Sequence, residues 1–266
     1  MRLTQTRALF IGLVTAAASL GAGEAGAQPV SAGEQRRSGF EYMGPSTQAM
    51  QKDGALNPGM LWVKDGEALW GLPAGQSGKA CISCHAAAAS SMRGVAARYP
   101  AFDERLSRPV TLGQRINQCR QHHQQAEPLR AESQELLSLE TYVAYQSRGL
   151  PVSPPADSRL EPFRQKGAQR FIQRIGQLNL ACAQCHDNNA GKRLGSSVIP
   201  QAHPTGYPVY RLEWQGLGSL QRRLRNCMSG VRAEPFPYGA QELVELELYL
   251  AARARGMAVE SPGVRP

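Results

Sequence analysis

The sequence predicts a mainly α chain built from two tandem copies of one small helical domain, and three observations predict it. The chain repeats itself once: Gly66 to Trp70 (GEALW) aligns with Gly167 to Phe171 (GAQRF) at an offset of 101 residues. A C-x-x-C-H motif recurs at the same offset, as Cys81 to His85 and again as Cys182 to His186. Near the end of the second copy, Leu243, Leu246, Tyr249 and Leu250 fall at i, i+3, i+6 and i+7, one apolar stripe at helical period.

In chain order, the first element is an export leader. Arg2 and Arg7 give a basic start, Ala8 to Leu20 an apolar run, and Ala25-Gly26-Ala27 an A-x-A cleavage site. The mature chain then begins at Gln28, and the loss of two arginines and one glutamate lowers the formal charge of +9 by one. No arginine pair precedes the apolar run, so the route is the general secretory one and the destination the periplasm. Residues 28–45 read as a mobile N-terminal arm.

Residues 46–150 form the first domain, 151–162 the proline-rich linker, and 163–266 the second domain. Each domain opens on a helix ahead of its motif, Trp62 to Trp70 in one copy and Glu161 to Leu178 in the other. Each closes on a helix that Gly149 or Gly256 ends, since glycine accepts the left-handed conformation of a helix stop. Arg115-Ile116-Asn117-Gln118-Cys119 aligns with Arg223-Leu224-Arg225-Asn226-Cys227 at an offset of 108, and the closing helices align at 107. The second copy therefore carries about seven extra residues after its motif, in the Gly-, Pro- and Ser-rich stretch from Gly191 to Tyr210.

Composition excludes several classes. Hydrophobic residues make up 42% of the 266, too many for a disordered chain, and glycine has no three-residue period. No apolar run is long enough to span a bilayer. The basic residues are mostly scattered arginines in an exported chain, so acidic proteins or small anions suit them better than nucleic acid.

Six cysteines in an exported protein suggest three disulfides by default. The two complete C-x-x-C-H motifs argue otherwise. Two thiols three positions apart add across the two vinyl groups of one haem, and the next histidine reaches the iron from the proximal side. Zinc ribbons place their cysteine pairs ~15–20 residues apart, and here almost a hundred separate them. A thioredoxin-like redox pair needs a single C-x-x-C in a βαβ context. The reading is two covalent haem c groups on two cytochrome c-like domains.

Haem attachment uses Cys81, Cys84, Cys182 and Cys185, with His85 and His186 as proximal ligands. Cys119 and Cys227 are left over at equivalent places, 34 residues after His85 and 41 after His186. A sixth iron ligand belongs about there. Met228 and Met257 are available in the second copy, whereas the first offers Cys119, His122 and His123. From position alone, the two spare cysteines are iron-bound thiolates, one interdomain disulfide, or inert buried thiols. Arg223 lies one helical turn before Cys227, where a guanidinium can stabilise a thiolate and hold an oxyanion, or else pair with a haem propionate. Arg115 stands likewise before Cys119. The second copy adds Arg222 and Arg225 where the first has Gln114 and Asn117, which favours Cys227 as the anion site.

Together these features resemble the SoxA family, the dihaem cytochrome subunits of the Sox thiosulfate-oxidising system. Ser38 to Tyr42, Asn57 to Val63 and Gly66 to Trp70 are similar to the entry of that family's N-terminal domain, and Arg223 with Cys227 resembles its R-x-x-x-C. The resemblance implies an L-cysteine S-thiosulfotransferase that joins thiosulfate oxidatively to a cysteine of a carrier protein (SoxYZ). It implies a small monohaem partner (SoxX) and an electron-accepting cytochrome c. It also implies that Cys227 is the catalytic cysteine persulfide and Arg223 the substrate-binding residue, with Arg222 and Arg225 as further cations. Axial pairs would be His85 with Cys119 and His186 with Cys227. Two other readings remain: a dihaem electron carrier, which predicts Met or His ligation, and a dihaem peroxidase, which predicts an open high-spin iron.

Overall fold

The computed structural model describes residues 35–266, so the leader, its cleavage site and the start of the arm lie outside the described residues. The first half contains α1 (Pro45–Lys52), α2 (Met60–Gly71), α3 (Cys81–His85), α4 (Ala88–Ser91), α5 (Leu112–Cys119) and α6 (Gln134–Tyr145). The second contains α7 (Glu161–Ile172), α8 (Cys182–His186), α9 (Leu220–Gly230) and α10 (Gln241–Arg253). The chain is mainly helical, as the periodicity predicts.

Each half is organised by one helix pair, α2 on α6 and α7 on α10. The first glycine of the repeated GEALW/GAQRF segment explains how closely they approach. A Cβ at Gly66 would overlap the Ser138 carbonyl, and one at Gly167 would overlap the Glu245 carbonyl. Around the crossings, Trp70, Ala88 and Val143 form one core, and Phe171, Met228, Leu243, Leu246 and Leu250 the other. Burying such side chains is worth roughly 1.5–3 kcal/mol each, which fixes both pairs.

The spare cysteines sit on helices launched by equivalent hairpins. Strands β1 (Ala101–Asp103) and β2 (Arg108–Val110) pair antiparallel ahead of α5, whose N-cap Thr111 forms a reciprocal capping box with Gln114. After the hairpin of β3 (Arg193–Leu194) and β4 (Ser197–Val198), strands β5 (Val209–Arg211) and β6 (Gly216–Gly218) do the same for α9, capped by Ser219. The β3–β4 hairpin lies within the stretch expected to hold the extra residues.

Four features differ from expectation. Helix α7 stops at Ile172 rather than Leu178, because Gly176 and Asn179 take positive φ in a turn that pairs Ile175 with Leu180. The linker is not free: Val152 N–H donates to the Met257 carbonyl at 2.8 Å, and Gly256 N–H donates back to Val152 at 2.8 Å. A strand that the sequence reading omitted, β7 (Gly263–Arg265), runs parallel to β5. Residues 35–45 are tied to the second half rather than mobile. Ser38 donates to Glu260 at 2.6 Å, Arg37 N–H donates to Gln201 at 2.7 Å, and α1 packs on β7. Gly149 and Gly256 both have positive φ just past α6 and α10, as helix stops require.

Candidate functional site

The second motif occupies one turn, α8, which gathers Cys182, Cys185 and His186. His186 Nδ1 lies 2.6 Å from the Pro200 carbonyl, which comes from the extra residues of this half and orients the imidazole. Cys227, near the end of α9, lies close to that ring. Burial pushes the Cys227 thiol up, but the His186 hydrogen bond and the charges of Arg223 and Arg211 outweigh it and hold the group below its ordinary range. Cys182 behaves oppositely. Burial, with Cys227 and Cys185 nearby, pushes its thiol up to about 11.

This donor set fits a haem c. Two thiols and an imidazole share one helical turn, and a further sulfur lies near the imidazole on α9. Among the described residues, no three side chains of His, Cys, Asp or Glu gather closely enough to enclose a bare metal ion.

The first half repeats the arrangement with different electrostatics. Cys81, Cys84 and His85 share α3, and Trp70 lies 5.7 Å from the His85 ring. Cys119 ends α5 within electrostatic reach of Cys81 and Cys84. His122 and His123 are exposed on the π-helical turn Arg120–Gln124 that follows. In the second half Met228 is buried in the core and Met257 sits in the strand-like pairing with the linker. Cys119 and Cys227 are not bonded to each other.

The charge around the two spare sulfurs is what distinguishes them. Arg115 is paired with Asp103 at 2.9 Å, and the Asp103 side chain is 2% exposed. Its charge is spent on that carboxylate, and burial leaves the Cys119 thiol above its ordinary range despite Arg115. Among the described residues no carboxylate is ion-paired with Arg223, and Glu213 acts on it only through space. At the position equivalent to Asp103, the second half carries Arg211.

Of the residues expected at the site, Arg223 reaches Cys227, while Arg222 and Arg225 do not. At ~100° per residue, positions five and two before Cys227 fall on other faces of α9. Arg222 stacks on the Trp214 ring at 4.2 Å, and Arg225 bonds the Phe236 carbonyl and lies 4.5 Å from the Tyr238 ring. Arg211 is the residue that sequence reasoning missed. Carrying the offset of 108 upstream from Arg115 and Arg223 to the hairpins would have paired it with Asp103.

Comparison with known proteins gives a consistent set of relatives. The family model described as SoxA/TsdA, cytochrome c domain, matches residues 65–152 and 166–259. The L-cysteine S-thiosulfotransferase subunit SoxA of Pseudaminobacter salicylatoxidans is 37% identical over 86% of this chain and 80% of its own. That of Rhodovulum sulfidophilum is 35% identical over 87% and 81%. The crystal structure of SoxXA from P. pantotrophus superimposes with a TM-score of 0.84 at 32% identity, covering 87% of each chain.

Proposed function

Because this chain belongs to the SoxA family of L-cysteine S-thiosulfotransferase subunits, which act in thiosulfate oxidation, we propose that its working sulfur is Cys227 and its substrate-binding residue Arg223. One observation carries this reading. Cys227 has two cations within electrostatic reach, Arg223 and Arg211, whereas Arg115 beside Cys119 is neutralised by Asp103 at 2.9 Å.

The reaction joins a carrier cysteine thiolate to thiosulfate through one new S–S bond, with the loss of two electrons. Two anions repel each other as they approach, and a fixed guanidinium offsets that repulsion without having to reorganise. Arg223, partly buried and drawn electrostatically to Cys227, is placed for that work. Cys227 serves as the sulfur at which the transfer occurs, in persulfide form. The Pro200 carbonyl orients the His186 ring.

Haem c, when bound, supplies the acceptor through which the two electrons leave. Two haems are proposed, one held by Cys81, Cys84, His85 and Cys119 and the other by Cys182, Cys185, His186 and Cys227. A small monohaem subunit (SoxX) is the proposed partner, following the SoxXA assembly of P. pantotrophus, with SoxYZ as the carrier and a cytochrome c as electron acceptor. Periplasmic location follows from the N-terminal leader, and among the described residues no helix is long and apolar enough to cross a membrane.

Intact-mass measurement after acid–acetone treatment, which removes non-covalent haem, tests the cofactor proposal; two retained haems are expected. Low-temperature EPR of the oxidised protein tests ligation. Low-spin thiolate signals support Cys119 and Cys227 as ligands, and a histidine–methionine or high-spin spectrum would return the carrier or peroxidase reading.

A further inference from the structure

A buried arginine, Arg211, and a partly buried one, Arg223, stand within electrostatic reach of each other, and together they call for an anion. Arg211 ends the central strand of the β6-β5-β7 sheet, and its side chain is only 10% exposed. It stands within electrostatic reach of both Arg223 and Cys227, and burial first, then Arg223, make its charge harder to keep. Among the described residues its carboxylate neighbour is Glu213, which lies 2.9 Å from Nε but is 49% exposed and out of line for a hydrogen bond, so the buried Nε–H has no acceptor among them. The guanidinium rests 5.2 Å from the Trp214 ring, which fixes its plane without neutralising it. Tyr207, deeply buried beside both arginines, keeps its phenol protonated and adds no negative charge at neutral pH.

The first half makes the contrast plain. There the equivalent of Arg211 is Asp103, and its carboxylate fills the space before Arg115. A single exchange of charge sign, at one hairpin position, converts a closed ion pair into an open cationic seat beside a sulfur.

We propose that Arg211 and Arg223 together form a seat for a doubly charged sulfur oxyanion beside Cys227, and that Asp103 closes the corresponding seat beside Cys119. The proposal deepens the function given above and rests on Cys227 being the working sulfur. Two guanidinium groups match a dianion such as thiosulfate better than one, since each N–H fork takes a separate pair of oxygens. Selectivity for divalent over monovalent anions is then a property of Arg211, while Arg223 also serves the sulfur.

The test uses the haem-loaded protein and measures thiosulfate binding by calorimetry without carrier, alongside KM in turnover. Arg211→Gln should weaken thiosulfate binding by roughly ten- to hundredfold, the worth of one charge-assisted contact, and raise KM to match. Arg211→Lys should recover part of the loss. Sulfate should displace thiosulfate better than methanesulfonate does in the wild type, and Arg211→Gln should narrow that difference. Haem absorption and midpoint potentials should stay as in the wild type. Binding within twofold of wild type in Arg211→Gln overturns the proposal. So does a shifted haem potential with unchanged thiosulfate affinity, which would make Arg211 a propionate anchor. Failure of the underlying reading looks different: Cys227→Ala would keep turning over while the Arg211 variants still lost thiosulfate.

Discussion

Glu140 on α6 and Glu247 on α10 occupy equivalent positions of the two halves and line the same cavity of about 350 Å³ between them. Burial pushes the Glu140 carboxyl up to about 8, with Glu247 and Glu132 adding to the shift, and burial pushes Glu247 up to about 7 against a hydrogen bond from Gln221. Both carboxyls hold protons in the fold that they would lose near the ordinary 4.5 when the chain unfolds. The native state therefore binds more protons than the unfolded one between about pH 4.5 and 8, and stability falls as pH rises through that window. Melting temperature measured from pH 5 to pH 8 should decline, and Glu140→Gln should flatten the decline. At ~2–4 °C per kcal/mol for a chain of this size, the change is easily measured.

Cys227→Ala should abolish thiosulfate-dependent electron release, and Arg223→Ala should weaken it by about ten- to hundredfold, the value of a hydrogen bond to a charged group. Cys119→Ala should alter the first haem's spectrum and leave most of the activity. Stopped-flow reduction of an acceptor cytochrome in the presence of carrier and thiosulfate reads all three. Near-wild-type turnover in Cys227→Ala would sink the assignment.

Arg225 serves the fold, through its bond to the Phe236 carbonyl and its place over Tyr238. Arg225→Ala should lower the melting temperature by a few degrees and leave the KM for thiosulfate within about twofold, as expected for the loss of a contact worth ~1–3 kcal/mol. A KM increase as large as that of Arg223→Ala would place Arg225 at the substrate after all.

Gly167→Ala should destabilise the second half by ~1–3 kcal/mol, the usual cost of overpacking, because a methyl group would overlap the Glu245 carbonyl, which is backbone and cannot swing aside. Gly66→Ala should do the same against the Ser138 carbonyl. Both effects should appear as lowered melting temperatures with the haem spectra retained. Unchanged melting would mean that α7 and α10 can part without cost.

Docking of the carrier should weaken with salt, because the chain without its leader keeps a strong positive charge, one below the +9 of the full sequence, and the Debye length falls from ~10 Å at 0.1 M to ~3 Å at 1 M. The apparent KM for carrier, measured across that range, should rise steeply while kcat changes little. A flat profile would show that the net charge has no part in docking.

The sequence by itself determined the haem chemistry and the helical repeat, because both are local. Two thiols and an imidazole need only one turn of helix, and the stripe from Leu243 to Leu250 lies within two turns. The three-residue strands were beyond it: Gly263–Arg265 is too short for an alternating pattern and pairs with Val209–Arg211 more than fifty residues earlier. Pairing with that distant edge also anchors residues that read as a mobile arm. The tertiary structure alone decided which cations surround each spare sulfur. That choice rests on charges brought to Cys227 from three separate segments, α8, α9 and β5, and counting arginines along one helix selected Arg222 and Arg225 when the fold had selected Arg211. Charge acts through space at a few ångströms, so it follows the hairpin that carries Arg211 in one half and Asp103 in the other, and a linear reading of either helix does not contain it.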